Sequence, residues 1–491
     1  MDLRTLAFAL TDKSYTLQKA CEDFGVEHGK QPTRKHGIVT ANYIKYNRRA
    51  VLATSELAVK LLEEYDKHDI TLQETKAYSP ASIGKAYLQK MGIEPILQRQ
   101  PDFPMAYLGY AQSAFFGGRT SAHIRKVPVP VVYTDFLSMY PTVNSLMDLW
   151  QFVIAREITV VEHCHRDIEV FLHQLARACF INAFQSGKHV PQGLKPAFCR
   201  ALNGTAEAVP YPKPIYETRS TNPQDLFERD TWKQLTAFVR VMPDGDVLPS
   251  RGRYNAVSND WQVAINHLYD GSSDLSKALW FSLPDVAVSL LLTGRIPKIV
   301  DAFRIEAHGH LQGLERCKLR GVVDVDPETR DFFRVVVEER KRLPKRADIS
   351  EIEKKRLDKA LKVLANAASY GIYAEMHRQE SGRKRSFKCH GIDAEPYKCR
   401  VAHPDMPGKY CFPPLASLIT GAARLMLALL EHSVRELGGT YAMEDTDSMA
   451  IVATEYGGTI PCAGGKRGIV KALSWKQVDG ISNQFGHTQS L

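Results

Sequence analysis

The stretch TDFLSMYP, residues 134–141, decides how the rest of the chain is read. With the residues before it, PVPVVYTDF (128–136), it forms a short β-branched run that stops at an acidic side chain. Such residues pack well on a pleated surface, so the run predicts a buried strand whose end delivers Asp135 to a surface. About 300 residues further on, TYAM, EDTDS (444–448) and MAIVAT read as strand, acidic turn, strand. Asp445 and Asp447 are two apart, so in extended backbone they share one face while Thr446 points away. Carboxylates so placed repel one another unless a cation sits between them, and hard divalent ions such as magnesium take oxygen ligands of this kind. A D-x-D alone is as readily an ordinary hairpin turn. Asp135, also at a strand end, changes the weighting. Three acids from distant segments could converge on two metal ions, which activate an attacking oxygen and stabilise a leaving one in phosphoryl transfer.

A cationic pair of helices lies between these acids. Asp331 to Leu343 predicts one helix, ended by Pro344, which lacks the amide that a helix interior needs. Ser350-Glu351-Ile352-Glu353 has the spacing of a capping box and predicts the start of a second. The short loop between them predicts an antiparallel hairpin. Residues 340–362 carry ten basic side chains, as a solvated helix pair does and as a triphosphate site requires. Arg340 and Lys362 fall on the two helices, and Lys362 and Asn366, four apart, share one face. Downstream, Arg378, Arg383, Lys384, Arg385 and Lys388 stand against Glu380 alone, a cluster suited to a phosphate backbone or to an exposed loop. Pro413-Pro414 opens a further helix, Leu415 to Leu437 continue it, and Gly438-Gly439 end it. Toward the amino terminus, residues 14–65 read as helical, with Tyr43, Tyr46, Val51, Leu57 and Leu61 at helix-like spacings. Residues 78–130, punctuated by Pro80, Pro95, Pro101, Pro104, Gly117, Gly118, Pro128 and Pro130, predict irregular chain between two folded bodies. Residues 190–270 give no assignable pattern.

The 491 residues allow about two to four domains. At 44% hydrophobic and 24% charged the composition is globular, which excludes disordered, collagen-like and disulfide-scaffold classes. The 64 basic and 55 acidic residues leave a net charge of +9, which suits a polyanionic partner. The longest apolar helical stretch, Leu415 to Leu430, is interrupted by Arg424, whereas a membrane span needs about 20 mostly apolar residues. No membrane partner is expected, and no secretion signal is read at the start. Nine cysteines without a C-x2-C pair predict reduced thiols and a cytoplasmic location, nucleoid-associated in a bacterium. Cys389, His390, Cys399, His403 and Cys411 lie close in sequence but at no common zinc spacing. AGGKRG (463–468) lacks the first glycine and the Ser/Thr of a P-loop.

Taken together, the motifs resemble those of the family B DNA polymerases. TDFLSMYP is similar to their first palm motif, with Met139 where leucine is usual. KVLANAASYG (362–371) is similar to the fingers motif Lys-x3-Asn-Ser-x-Tyr-Gly, and EDTDS to the second palm motif, Tyr-Gly-Asp-Thr-Asp-Ser. AFFGGRTSA (114–122) resembles the Tyr-x-Gly-Gly element, with Phe115 for tyrosine. The order along the chain is the family's. The resemblance implies an α+β fold shaped as a right hand: a palm of antiparallel sheet with helices, helical-hairpin fingers, and a remnant of an exonuclease domain at the amino terminus. It divides the chain into a 3′–5′ exonuclease remnant (1–70), a linker with the Gly-Gly element (71–125), a first palm part with a long insertion (126–330), fingers (331–378), and a second palm part without a thumb (379–491). Asp135, Asp445 and Asp447 would be the catalytic metal ligands, assisted by the Phe136 carbonyl, for two magnesium ions or manganese in their place. Tyr140 would lie under the sugar of the incoming nucleotide. Arg340 and Lys362 would hold its triphosphate, and Asn366 and Tyr370 would flank the nascent base pair. The implied reaction is attack by a primer 3′-hydroxyl on the α-phosphate of a deoxynucleoside triphosphate. Its partners are primer–template DNA and deoxynucleoside triphosphates, with a terminal protein or replication accessory proteins as further candidates.

The chain departs from that pattern in several places. Asn366 to Tyr370 holds one residue more than the motif, so either a bulge restores the phase or Ser369 takes the tyrosine's place. Pro344, then Lys345, stands where the family has a second fingers lysine. The long separation of Asp135 from Arg340 is similar to that of protein-primed members. NYIKYNRRAVLAT (42–54) resembles the third exonuclease motif, Tyr-x3-Asp, with Tyr46 as the tyrosine and Ala50 in place of the aspartate. No D-x-E pair precedes it, so proofreading is not expected. No Lys-x-Tyr element follows Asp447, and the chain reads as truncated or divergent at both ends. Two other readings compete. One is a degenerate polymerase-like module that binds DNA without catalysis; the other is a nuclease using the same acids, which Ala50 and the fingers helix disfavour.

Overall fold

The computed structural model describes residues 1–29, 39–185, 226, 228–250, 265–269, 278–380, 382–391, 395–462 and 468–488. The apolar run after the acidic turn, Ser448–Thr454, is buried along nearly its whole length and forms the centre of a six-stranded sheet. Val131–Asp135 pairs with it antiparallel, Ser448 opposite Asp135. Tyr441–Asp445 pairs along its other edge, and Thr120–Ala122 adds to that strand. Ile469–Ser474 joins in parallel over Ala453 and Thr454 and carries Tyr456–Pro461 outside it. Val131–Asp135 departs from expectation. It is half-covered rather than buried, with Val131 and Tyr133 turned outward, because only one of its two faces meets the core.

Helix Pro413–Glu436 lies at the centre of the core, packed against helices Leu283–Thr293, Met105–Ser113 and Met139–Leu146. Among the described residues it is the one helix long and apolar enough to cross a membrane, and that apolar surface is entirely buried within the fold. Prolines open it and Gly438, in left-handed backbone (φ +73°), ends it. A second sheet of four strands, in the order Ala155–Glu162, Lys298–His310, Ala237–Met242, Leu279–Ser282, is built from the long segment after the first acidic strand. Most of residues 190–270, and all but the last glycine of 463–468, lie outside the described residues.

Residues 78–130 are irregular only in part. They form helices Pro80–Lys90, Ile96–Arg99 and Met105–Ser113, whose Tyr87, Leu88 and Ala111 are buried in the common core. Three of the prolines that suggested irregular chain sit at the starts of these helices: Pro80 is the first helical residue, and Pro95 and Pro104 are N-caps. A fixed φ and a missing amide suit a first turn, where the amide would lack a partner anyway. Helix Leu3–Thr11, ahead of the expected helical region, was also not foreseen; Leu17–Phe24 and Ala41–Tyr65 were. Cys21, Cys164, Cys317, Cys389, Cys399, Cys411 and Cys462 are free thiols.

The cationic hairpin forms as helices Phe332–Arg342 and Glu351–Ala368, joined through a 3₁₀ turn, Leu343–Lys345, that contains Pro344. The Ser350 hydroxyl accepts from the Glu353 amide at 3.2 Å. The Glu353 carboxylate is engaged by Arg320 and Lys67, so Ser350 supplies its half of the box. Asp331 caps the first helix, accepting from the Phe333 amide at 2.8 Å and from the Ser145 hydroxyl. Burial pushes its carboxyl up to about 6 from the ordinary 3.8, against those hydrogen bonds. A carboxyl raised on folding stabilises the fold while protonated, and that contribution is lost as pH rises through about 4 to 6. Asp331→Asn keeps a cap and carries no proton. Relative to wild type, it is expected to gain up to about 3 kcal/mol across that window, read as Tm against pH.

Candidate active site

Asp135 reaches the acidic turn through backbone pairing: the Phe136 amide donates to the Asp447 carbonyl at 2.8 Å. The turn itself differs from the extended reading. Asp445 and Ser448 pair across it, leaving a two-residue turn of Thr446 and Asp447, with Thr446 in left-handed backbone (φ +56°). The Asp447 amide donates to the Asp445 carbonyl at 2.6 Å, and Ser448 Oγ donates to the same oxygen at 3.0 Å. The two aspartates therefore meet by reversal of the chain rather than by alternation along a strand.

Charge ties the group together. Burial, and then the neighbouring Asp135 carboxylate, push Asp447 above its ordinary range; its own amide and Lys362 pull it back, and Asp445 pushes again. Asp445 is exposed, and its carboxylate accepts from the Thr446 hydroxyl at 3.0 Å. Among the described residues, no three His, Cys, Asp or Glu side chains are gathered so as to hold a metal. That applies to the cysteines and histidines of 389–411 and to the three aspartates. In kind, however, carboxylates whose charges act on one another, as those of Asp135 and Asp445 do on Asp447, suit a hard divalent cation, which would relieve that repulsion.

Beyond Asp135 the chain turns at Ser138, in left-handed backbone (φ +53°), into helix Met139–Leu146. The Ser138 hydroxyl accepts from Arg340, whose Nε pairs with Asp358 at 2.8 Å. Arg340 is thus buried and engaged at both ends of its guanidinium, bracing both helices of the cationic hairpin against the loop that follows Asp135. Its helix was legible in the sequence; these partners were not. Lys362 is exposed on Glu351–Ala368, with half-buried Asn366 one turn on. That helix stops at Ala368, and fully buried Ser369 leaves helical backbone (ψ −95°). Tyr370 is therefore freed from helical phase, and its ring lies 4.2 Å from that of Tyr140. Burial, and then Tyr370, raise the Tyr140 phenol. Phe136 is covered edge-on by Phe485 of helix Trp475–Thr488.

The Gly-Gly element rests directly on the acidic turn, where a Cβ on Gly118 would stand 2.8 Å from the Thr446 side chain. Sequence reasoning missed Arg119, Glu431 and Glu444, three buried charges beneath that turn. The available signal was Glu444 in the place of the motif's glycine, beside an arginine directly after Gly117-Gly118. Strands Arg385–Cys389 and Tyr397–Val401 form a ribbon with exposed Lys388 directly opposite exposed Lys398, and Arg400 opposite Ser386. Like charges placed across a strand pair cost stability, and a polyanion would relieve that cost.

No family model matches the chain, and no curated protein matches it. Solved structures are similar over most of it. Phi29 DNA polymerase complexed with primer–template DNA and incoming nucleotide substrates is 13% identical at a TM-score of 0.46, covering 92% of this chain and 60% of the polymerase. Its orthorhombic crystal form gives 13%, 0.44, 90% and 59%. The same polymerase with single-stranded DNA gives 13%, 0.41, 90% and 59%. The chain thus spans about 60% of the length of these polymerases.

Proposed function

We propose that this chain is a template-directed DNA polymerase that adds deoxynucleotides to a primer 3′-hydroxyl, without proofreading of its own. The observation that carries this is the junction of Asp135 with the Asp445–Asp447 turn across the Phe136 amide, because the two segments resemble the two palm motifs. Asp135, Asp445 and Asp447, with the Phe136 carbonyl, would hold magnesium or manganese, which when bound sharpens the attacking hydroxyl and offsets charge on the leaving pyrophosphate. Lys362, exposed and acting on Asp447, would meet the triphosphate. Arg340 would join it only by giving up Asp358, and otherwise braces the fingers. Tyr140, backed by Tyr370, would form the floor beneath the sugar and exclude a 2′-hydroxyl, with Asn366 beside the nascent pair. A terminal protein or replication accessory proteins would be further partners.

Primer extension with four deoxynucleotides and magnesium, beside Asp447→Asn, tests this. Extension by the wild type and not by the variant supports it. DNA binding without extension would replace it with a non-catalytic module, and primer shortening with a nuclease. The ribbon carries a separate expectation. Changing Lys388, Lys398 and Arg400 together to Gln should weaken DNA binding equally across sequences and reduce the slope of log K against log salt by about two to three. An unchanged slope would remove the ribbon from the DNA path.

A further inference from the structure

Behind the acidic turn lies an ion cluster with no part in the reaction as described. Arg119 is 5% exposed, Glu444 2% and Glu431 1%. Arg119 Nε faces Glu444 Oε1 at 2.6 Å, while Nη2 is bonded to Glu431 and reaches the Tyr441 hydroxyl at 3.2 Å. The Ser121 hydroxyl donates to Glu444 at 2.7 Å, and Arg435 holds the other oxygen of Glu431. On its backbone side, Arg119 accepts from the Thr446 amide at 2.8 Å. One residue therefore grips the acidic turn twice: by its carbonyl between the two aspartates, and by its guanidinium at the residue just before Asp445.

Stability does not account for this arrangement. Ions taken out of water lose several kcal/mol each, and well-packed apolar residues often replace such a set without loss. Arg119 Nε and Nη1 and Glu444 Oε2 are buried without a hydrogen-bond partner, the Nε contact with Glu444 being an ion pair alone, so the cluster is not a fully satisfied network either. Outer groups of this kind orient ligands, and their loss typically costs about 10–100-fold in metal affinity or activity.

We propose that Arg119, acting through Glu444 and its own carbonyl, is a positioning residue that sets the aim of Asp445 and Asp447 and thereby the affinity of the turn for a divalent cation. The cation and the substrate rest on the polymerase reading; the grip on the turn does not. The test is manganese binding to the full chain, followed by electron paramagnetic resonance, alongside the magnesium dependence of extension and the affinity for primer–template. Arg119→Met/Glu444→Met, which leaves Glu431 with Arg435, is expected to bind manganese at least about tenfold more weakly. It should need correspondingly more magnesium for half-maximal extension, while DNA affinity stays within about twofold of wild type. Arg119→Lys, which keeps the charge, should recover part of the loss. If the double variant does not fold, Glu444→Gln, which keeps shape and size, must show the same weakening. Wild-type manganese affinity in whichever variant folds would overturn the inference while leaving the polymerase reading intact. Manganese binding that Asp447→Asn leaves untouched would overturn the functional reading, and this inference with it.

Discussion

Asp135→Asn and Asp447→Asn are each expected to lower primer extension by at least about a thousandfold, and the two together by little more than either alone. The carboxamide keeps the size of the side chain and can still accept a hydrogen bond, so the Val131–Asp135 pairing and the Phe136 bond to the Asp447 carbonyl survive. Only charge is lost, and at Asp447 that loss favours the fold. Its carboxyl is pushed up by burial and by Asp135, so the ionised form is the strained one. Above that raised value the wild type carries the strain and Asp447→Asn does not. The variant should therefore unfold at the same temperature or higher at neutral pH, and bind primer–template as before. A collapse of rate without a collapse of stability separates a chemical role from a structural one. The near-equality of single and double losses is the second check, since groups acting on the same ions fail together. Losses that sum in logarithmic units would mean that Asp135 and Asp447 serve separate sites, and the junction would then be incidental.

The three acids were legible because Asp135 ends a β-branched run, and Asp445 and Asp447 belong to an acidic turn that interrupts two strand-like runs. The helical hairpin was legible for a similar reason: Pro344 and Ser350 mark a helix end and a helix start within a few residues. What the sequence hid was everything set by distant partners. The Arg340 helix could be drawn from periodicity, but nothing near Arg340 indicates that Asp358 and Ser138 hold it. The extra residue before Tyr370 left two readings open, a bulge or Ser369 in the tyrosine's place; the helix ends at Ala368, Ser369 leaves helical backbone, and Tyr370 turns to Tyr140. Pro80, Pro95 and Pro104 were misread because proline both breaks helices and begins them, and only the burial of Tyr87 and Ala111 says which. Arg119 and Glu444 lie in motifs that were recognised, yet each was passed over, since a charged residue on a motif's flank has no meaning until its partner is known.

Arg424 is the clearest case of such a partner, and Arg424→Leu is expected to cost about 3–5 kcal/mol. In the sequence this residue merely interrupts an apolar helix. In the fold it is 2% exposed, its Nε and Nη2 meeting both oxygens of fully buried Asp285 at 2.7 and 2.8 Å. Its remaining nitrogen donates to the carbonyls of Phe116 and Gly117 at 2.7 and 2.6 Å. Ser282 also donates to Asp285, and Gly421 lets the helix come so close that a Cβ there would stand 2.1 Å from the Ser282 hydroxyl. Leucine at 424 would strand a carboxylate without water or counter-ion and leave two carbonyls unsatisfied. Asp285→Leu/Arg424→Leu removes the stranded charge but not the stranded carbonyls, each worth about 1–3 kcal/mol. Thermal unfolding should therefore rank wild type above the double variant, and the double variant above Arg424→Leu. The same two carbonyls precede Gly118, which rests on Thr446. In the double variant, extension should then fall by more than the lost stability explains, because the Gly-Gly element is no longer anchored against the turn that carries Asp445 and Asp447. Equal stability in wild type and Arg424→Leu would mean that the buried pair stabilises nothing. A double variant that is less stable but fully active would cut the link between the core helix and the acidic turn.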